Sequence, residues 1–219
     1  MTRISKASFL FVFVFILWFS GQSTANASGI AFETSRIFGL RQIDTAIEVS
    51  KSGWQQADTV ILATADNFPD ALVAAPLSHR LNAPVLLNHR DALDPKVLKE
   101  INRLGAQKIV VLGGTACIGP KVIDDLQNAG KSIERIAGLT QYETAVKVAA
   151  HLELCEQVIL VNGEHFPDAL AISAYAGFTE TPILLTNSRA LPEVTKAKLQ
   201  SYEKIIIVGG EAAVPTATL

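Results

Sequence analysis

The sequence predicts an α/β fold: two tandem three-layer units, each with a mostly parallel sheet, the second incomplete at its C-terminus. Three observations predict it. First, part of the chain recurs. Phe68-Pro69-Asp70-Ala71-Leu72 returns as Phe166-Pro167-Asp168-Ala169-Leu170, and Pro84-Val85-Leu86-Leu87 returns as Pro182-Ile183-Leu184-Leu185, both 98 positions on. Self-similarity at a fixed spacing marks a repeated structural unit. Second, each copy carries three short, continuously apolar runs, the pattern of strands buried on both faces of a parallel sheet. Third, helical patterns separate those runs, and strand-helix alternation implies right-handed crossovers between parallel strands.

Ahead of the repeats, Arg3 and Lys6 precede an apolar run over residues 7–19 that only Ser8 interrupts. Ala25-Asn26-Ala27 then fits a small-x-small cleavage site. The run falls short of the roughly 20 residues that cross a bilayer. Residues 1–27 therefore read as a secretory signal peptide rather than a spanning helix, and residues 28–35 as a lead-in. With 19 basic and 21 acidic residues, the chain has no net charge that would draw it to nucleic acid.

The first repeat is expected over residues 36–132 and the second over 133–219. They open on Arg36-Ile37-Phe38-Gly39-Leu40 and Arg135-Ile136-Ala137-Gly138-Leu139. Asp44-Thr45-Ala46 and Glu143-Thr144-Ala145 begin helices, with the acid placed to meet the positive end of the helix dipole. Ala145, Val146, Val148, Ala149 and Leu152 fit one broad apolar face. First strands follow at 59–63 and 157–161, then helices at 70–81 and 168–178, each with a proline just inside its start. Second strands are expected at 84–87 and 182–185, helices at 95–104 and 192–202, and third strands at 108–112 and 204–208. The third strands end in Gly113-Gly114 and Gly209-Gly210. In the first copy a helix over 119–127 and a short strand over 133–136 come next. In the second copy the sequence reaches Leu219 where that helix would begin. The connection at 128–131 is too short for a free linker, so the units should pack together.

Several groups invite a chemical reading. Asp66 with Asp70, and Glu164 with Asp168, stand at the carboxyl end of a strand, where open α/β sheets place their sites. Paired carboxylates can hold Mg²⁺ or serve as acid and base, which gives one alternative: an exported α/β enzyme or metal-dependent hydrolase using Asp70 and Asp168. No third ligand or histidine pair accompanies them, and His165 corresponds to Asn67. The plainer reading is a helix start, in which proline lacks the amide that would go unpaired and aspartate meets the first-turn amides. The glycine pairs match neither a P-loop nor GxGxxG and suit a tight turn from strand to helix. Both copies lack a nucleophile elbow, HExxH and CxxC, which argues against an enzyme, and no cofactor is expected. Cys117 and Cys155 correspond to Ala213 and Ala57, so the repeat requires neither, and two free thiols are expected rather than a disulfide. The loops after the second strands hold Asn88-His89-Arg90-Asp91 and Thr186-Asn187-Ser188-Arg189. They read either as solvated loops or as anion sites, since the guanidinium fork suits phosphate or carboxylate.

Taken in order, Arg-Ile-x-Gly, Tyr142-Glu143-Thr144-Ala145, an apolar run, Phe-Pro-Asp-Ala-Leu, Pro-Ile-Leu-Leu-Thr and Val-Gly-Gly resemble the type 2 cell wall-binding repeat of Gram-positive bacteria, found in autolysins and clostridial surface-layer proteins. The resemblance covers nearly all of residues 36–219. It implies a Toprim-like fold, a secreted protein of the cell wall, and non-covalent binding of an anionic polymer such as a teichoic acid or a secondary polysaccharide. It also implies that the polymer is bound at Pro84, Val85, Leu86 and Leu87 and at Pro182, Ile183, Leu184 and Leu185. The leucines look like core residues, which passes ligand contact to Asn88, His89, Arg90, Thr186, Asn187 and Arg189. The sequence departs from the family in having two repeats where three are usual, Gln42 and Gln141 where arginine is common, and Ile43 opposite Tyr142. With a unit missing, exposed helix faces offer a further possibility, homo-oligomerisation or pairing with another repeat protein.

Overall fold

The computed structural model describes residues 34–152, 155–215 and 217. The expected signal peptide, most of the lead-in and Leu219 lie outside the described residues. Residues 37–219 form one compact unit. Its elements are α1 (Gln42–Gly53), β1 (Thr59–Thr64), α2 (Pro69–Leu72), α3 (Ala75–Leu81), β2 (Val85–Asn88), α4 (Pro95–Leu104), β3 (Lys108–Leu112), α5 (Pro120–Asn128) and β4 (Ser132–Ile136), followed by α6 (Gln141–Ala150), β5 (Gln157–Asn162), α7 (Phe166–Thr179), β6 (Ile183–Thr186), α8 (Glu193–Leu199) and β7 (Lys204–Val208). Among the described residues no helix is long and apolar enough to cross a membrane.

The strands form two sheets in which every pairing is parallel. One has the order β2-β1-β3-β4 and the other β6-β5-β7. An order that runs outward on both sides of the first strand puts crossover helices on both faces, and burial follows that layout. Side chains alternate across a strand, so Ile61, Val110 and Leu112 enter one apolar cluster while Val60, Leu62, Ile109 and Val111 enter another. The second of these clusters is closed by α1, α4 and α5 through Ile43, Val97, Ile101, Val122 and Leu126. The first is shared between the repeats: it also holds Leu72 and Leu77 on one side and Ala145, Val148, Ile159, Val161, Ala176 and Leu185 on the other. This common core is why the units pack as one body. A small third cluster, with Val158, Leu160, Leu184 and Leu199, backs the second sheet.

One expected helix is broken. Residues 70–81 do not run continuously; α2 stops at Leu72 and α3 starts at Ala75. Pro76 accounts for the break, because it has no amide to donate to the Leu72 carbonyl four residues back and its ring crowds that carbonyl. The second repeat has Ala174 at the same place, and α7 is continuous from Phe166 to Thr179. The helix expected over 192–202 is also shorter, spanning Glu193–Leu199. Both α3 and α7 end on a left-handed residue, Asn82 (φ 45°) and Glu180 (φ 52°). Asparagine tolerates that conformation better than glutamate. Glu180 is also tied to α3 through His79 Nδ1 at 3.1 Å and Arg80 Nη1 at 3.8 Å.

β4 belongs to the first sheet, although it carries the Arg135-Ile136 pair that opens the second repeat. The second repeat thus begins as the outermost strand of the first.

Candidate functional site

The polar features of the first repeat collect at the carboxyl end of its sheet. The order β2-β1-β3 makes the gap between β1 and β3 the point where the winding reverses, the usual place for a ligand crevice in such sheets. A crevice of about 410 Å³ lies there. Asn67, Pro69 and Asp70 line it from the loop after β1, Gly114, Thr115 and Cys117 from the loop after β3, and Leu139, Thr140 and Gln141 from the opening of the second repeat. Neither repeat makes this crevice alone.

Asp70 is 7% exposed and turns inward. Its Oδ2 accepts from the Cys117 thiol, with Sγ 3.2 Å away. Burial, partly offset by that thiol, raises its pKa above the ordinary carboxylate value. Burial, the hydrogen bond to Asp70 and its charge push the Cys117 thiol up to about 11. Gly113 allows this arrangement: its φ is +90°, and a Cβ there would collide with Asp70 Oδ2 and with Cys117. Cys117 and Cys155 are both free thiols. Behind the loop, the half-buried Arg135 of β4 donates to the Gly113 carbonyl at 2.7 Å and the Ile118 carbonyl at 3.0 Å.

Asp66 points elsewhere. Its Oδ1 lies 2.6 Å from His89 Nδ1, its Oδ2 accepts from the Arg90 amide at 3.2 Å, and the hydrogen bond from His89 is the main cause that lowers its pKa. The pair Asp66 and Asp70 therefore does not converge on one point. In the second repeat Glu164 is exposed and Asp168 is half-buried beside Gly209. Among the described residues no three His, Cys, Asp or Glu gather to hold a metal.

The segments expected to bind polymer divide sharply by depth. Pro84, Leu86, Pro182, Ile183, Leu184 and Leu185 are buried, and Val85 and Leu87 are half-buried. Pro84 and Pro182 lead into β2 and β6, and the other six belong to those strands, pressed into the cores. Asn88 and Thr186 are fully buried. Asn88 Nδ2 donates to the His89 and Ala92 carbonyls at 2.6 and 2.9 Å, and its Oδ1 accepts from the Asp94 amide at 2.8 Å. Its capacity is spent on shaping the loop. Thr186 reaches the Asn187 and Ala190 carbonyls at 3.4 Å. His89, Arg90 and Arg189 are exposed and Asn187 is half-buried. Arg90 Nε donates to the Thr115 carbonyl at 3.2 Å, and the Arg90 carbonyl accepts from the Gly119 amide at 2.9 Å. That ties Arg90 to Thr115, which lines the crevice, while its Nη1 donates to Asp91 Oδ1 at 3.1 Å. Asn187 Oδ1 accepts from the Arg189 and Ala190 amides, both at 2.9 Å.

Sequence reasoning did not bring Cys117, Thr115, Thr140 and Arg135 to this place. Cys117 left no signal, because the other copy has alanine. Arg135 did leave one: an arginine opens both repeats.

The family description Cell wall binding domain 2 (CWB2) matches residues 36–123 and 135–219. The chain is 35% identical over 181 residues to the Bacillus subtilis amidase enhancer, covering 83% of this chain and 25% of that protein. It is 29% identical over 181 residues to the N-acetylmuramoyl-L-alanine amidase LytC of the same organism, covering 82% of this chain and 36% of that one. Among solved structures it resembles Cwp8 from Clostridium difficile, at 30% identity and a TM-score of 0.78, over 87% of this chain and 33% of that one. The chain thus spans between a quarter and about a third of these three relatives' lengths, and it belongs to the cell wall binding domain 2 family, as a secreted protein of the cell surface.

Proposed function

We propose that this chain is a non-catalytic module that attaches to the Gram-positive cell wall by binding an anionic wall polymer, of the teichoic-acid or secondary-polysaccharide kind, without a covalent bond. Residues 1–27 direct its export, and the repeats at 36–132 and 133–219 are the binding units. The observation that carries the reading is Arg90, exposed and hydrogen-bonded through Nε to Thr115, a residue that lines a crevice built from both repeats. A planar, always-charged fork at a polar crevice suits a phosphate or carboxylate on a polymer, with neutral sugar hydroxyls facing Thr115, Thr140 and Asn67. His89, Asn187 and Arg189 supply the remaining contacts. Pro84, Val85, Leu86, Leu87 and Pro182, Ile183, Leu184, Leu185 act as the buried strands that aim those loops, with Asn88 and Thr186 holding the loops in shape. We assign none of the amidase's chemistry to this chain.

The test is retention on purified walls, intact and stripped of anionic polymer, at low and high salt. Retention on intact walls alone is expected, weakening with salt because exposed charges are screened. Arg90→Ala should weaken it several-fold and Arg90→Ala with Arg189→Ala further. Equal retention on stripped walls, or no response to salt, would refute polymer recognition.

A further inference from the structure

The loop after β2 carries a titratable side chain next to Arg90. His89 is exposed, and its Nδ1 lies 2.6 Å from Asp66 Oδ1. Asp66 reaches over from the loop after β1, and its Oδ2 accepts from the Arg90 amide at 3.2 Å. One carboxylate therefore holds both the ring of His89 and the backbone of Arg90. The tether survives a change of protonation. An imidazole that carries its proton on Nδ1 donates to Asp66, and the imidazolium does the same. The geometry stays while the charge changes.

What the proton alters is the local balance. Among the described residues, the exposed charges tied to this loop are Asp66 from the β1–α2 loop and Arg90 and Asp91 from the loop itself. Arg90 Nη1 donates to Asp91 Oδ1 at 3.1 Å. The hydrogen bond from His89 is the main cause that lowers the Asp66 pKa, so Asp66 is ionised at neutral pH. With a neutral imidazole, two carboxylates stand against one guanidinium, a balance that repels a polyanion. The imidazolium makes the signs equal. At the helix starts packed against the loop, the charges are matched: Arg41 pairs with Asp94 at 3.0 Å and Lys96 with Asp44 at 2.7 Å. Asp70 lies buried in the crevice with a raised pKa. It too gains negative charge as pH climbs, and it is the competing source of any pH dependence.

Histidine is the side chain that ordinarily changes charge between pH 5 and 8. The second repeat lacks this arrangement. Asn187 stands in the place of His89, and its Oδ1 is committed to the Arg189 and Ala190 amides.

We propose that His89, positioned by Asp66 beside Arg90, is a proton-controlled cation of the first repeat's polymer site, so that the repeat binds a phosphodiester or carboxylate polymer more tightly in mild acid than at neutral pH. This rests on the polymer-binding reading above. It makes the strength of attachment a function of the acidity at the wall.

The experiment is retention on purified walls at low ionic strength, at about pH 5.5 and about pH 8, for the parent chain, His89→Gln and His89→Lys. Titration of the wall itself is common to all three proteins, so differences between them isolate the side chain. Glutamine and lysine can still donate to Asp66, and the circular dichroism should be unchanged. The acid-to-neutral ratio of affinities should be about threefold larger for the parent than for His89→Gln, the scale of one exposed ion pair. His89→Lys should hold at pH 8 the affinity the parent shows in acid. Salt should shrink the difference between the proteins. A His89→Gln profile identical to the parent's overturns the proposal, assigns any pH dependence to Asp70 or the wall, and leaves polymer recognition standing. So does a His89→Lys chain that weakens at pH 8 as the parent does. A parent chain retained at neither pH overturns the polymer reading and this inference with it.

Discussion

Replacing Arg135 by alanine tests what joins the repeats. The side chain makes two hydrogen bonds, at 2.7 and 3.0 Å, to carbonyls of the loop that forms one wall of the crevice. A bond to a charged group contributes about 1.5–3 kcal/mol, so the two together set a ceiling of roughly 6 kcal/mol. Burial offsets part of this. It depresses the arginine's pKa, which means that desolvating the cation costs free energy that alanine would return. Water can also reach the vacated carbonyls at a half-buried site. A net loss of about 2–3 kcal/mol remains. Urea unfolding followed by the fluorescence of Trp54 is the assay. With a slope near 2 kcal/mol/M, the midpoint should fall by about 1–1.5 M. Arg135→Lys should recover less than half, since an ammonium cannot span both carbonyls as a fixed fork does. A midpoint shift below about 0.25 M would show that water serves the carbonyls as well as Arg135 does, and that the clasp does not lock the repeats together.

Ala174→Pro in the continuous α7 should cost about 3 kcal/mol in the same urea assay, whereas Pro76→Ala should change stability by less than about 1 kcal/mol; equal effects would mean that proline does not set the helix break. Asp70 has a raised pKa in the fold, so its contribution is fully present below the ordinary value of 3.8 and is lost as pH rises through the folded value. Asp70→Asn should therefore gain in melting temperature relative to the parent between pH 4 and pH 7 and should speed alkylation of Cys117 at pH 8, because a thiol freed of a neighbouring carboxylate ionises more readily; a variant that loses ground at pH 7 would refute the assignment.

The sheets were legible in the sequence because apolar runs report burial directly. Lys108-Ile109-Val110-Val111-Leu112 has no polar residue after the first, and every residue after the first is buried. Residues 204–208 form the expected strand, but Ile205 and Ile207 are exposed: an apolar run marks a strand without fixing how deeply each of its faces is covered. The signal for the break was Pro76 itself, since the matching Ala174 leaves α7 continuous. Leu86, Leu184 and Leu185 were read correctly as core. Asn88 and Thr186 were not separable from their exposed neighbours, since a polar residue at a strand end looks alike whether it faces solvent or folds its own loop.

The crevice shows how the first repeat depends on the second. The opening of the second repeat supplies Leu139, Thr140 and Gln141 to the first repeat's crevice, so the first repeat needs its successor's first residues to close it. The same segment joins the two repeats twice, through the Arg135 clasp on the Gly113 and Ile118 carbonyls and through this wall. Loosening the clasp should therefore disturb the crevice as well as the stability of the chain.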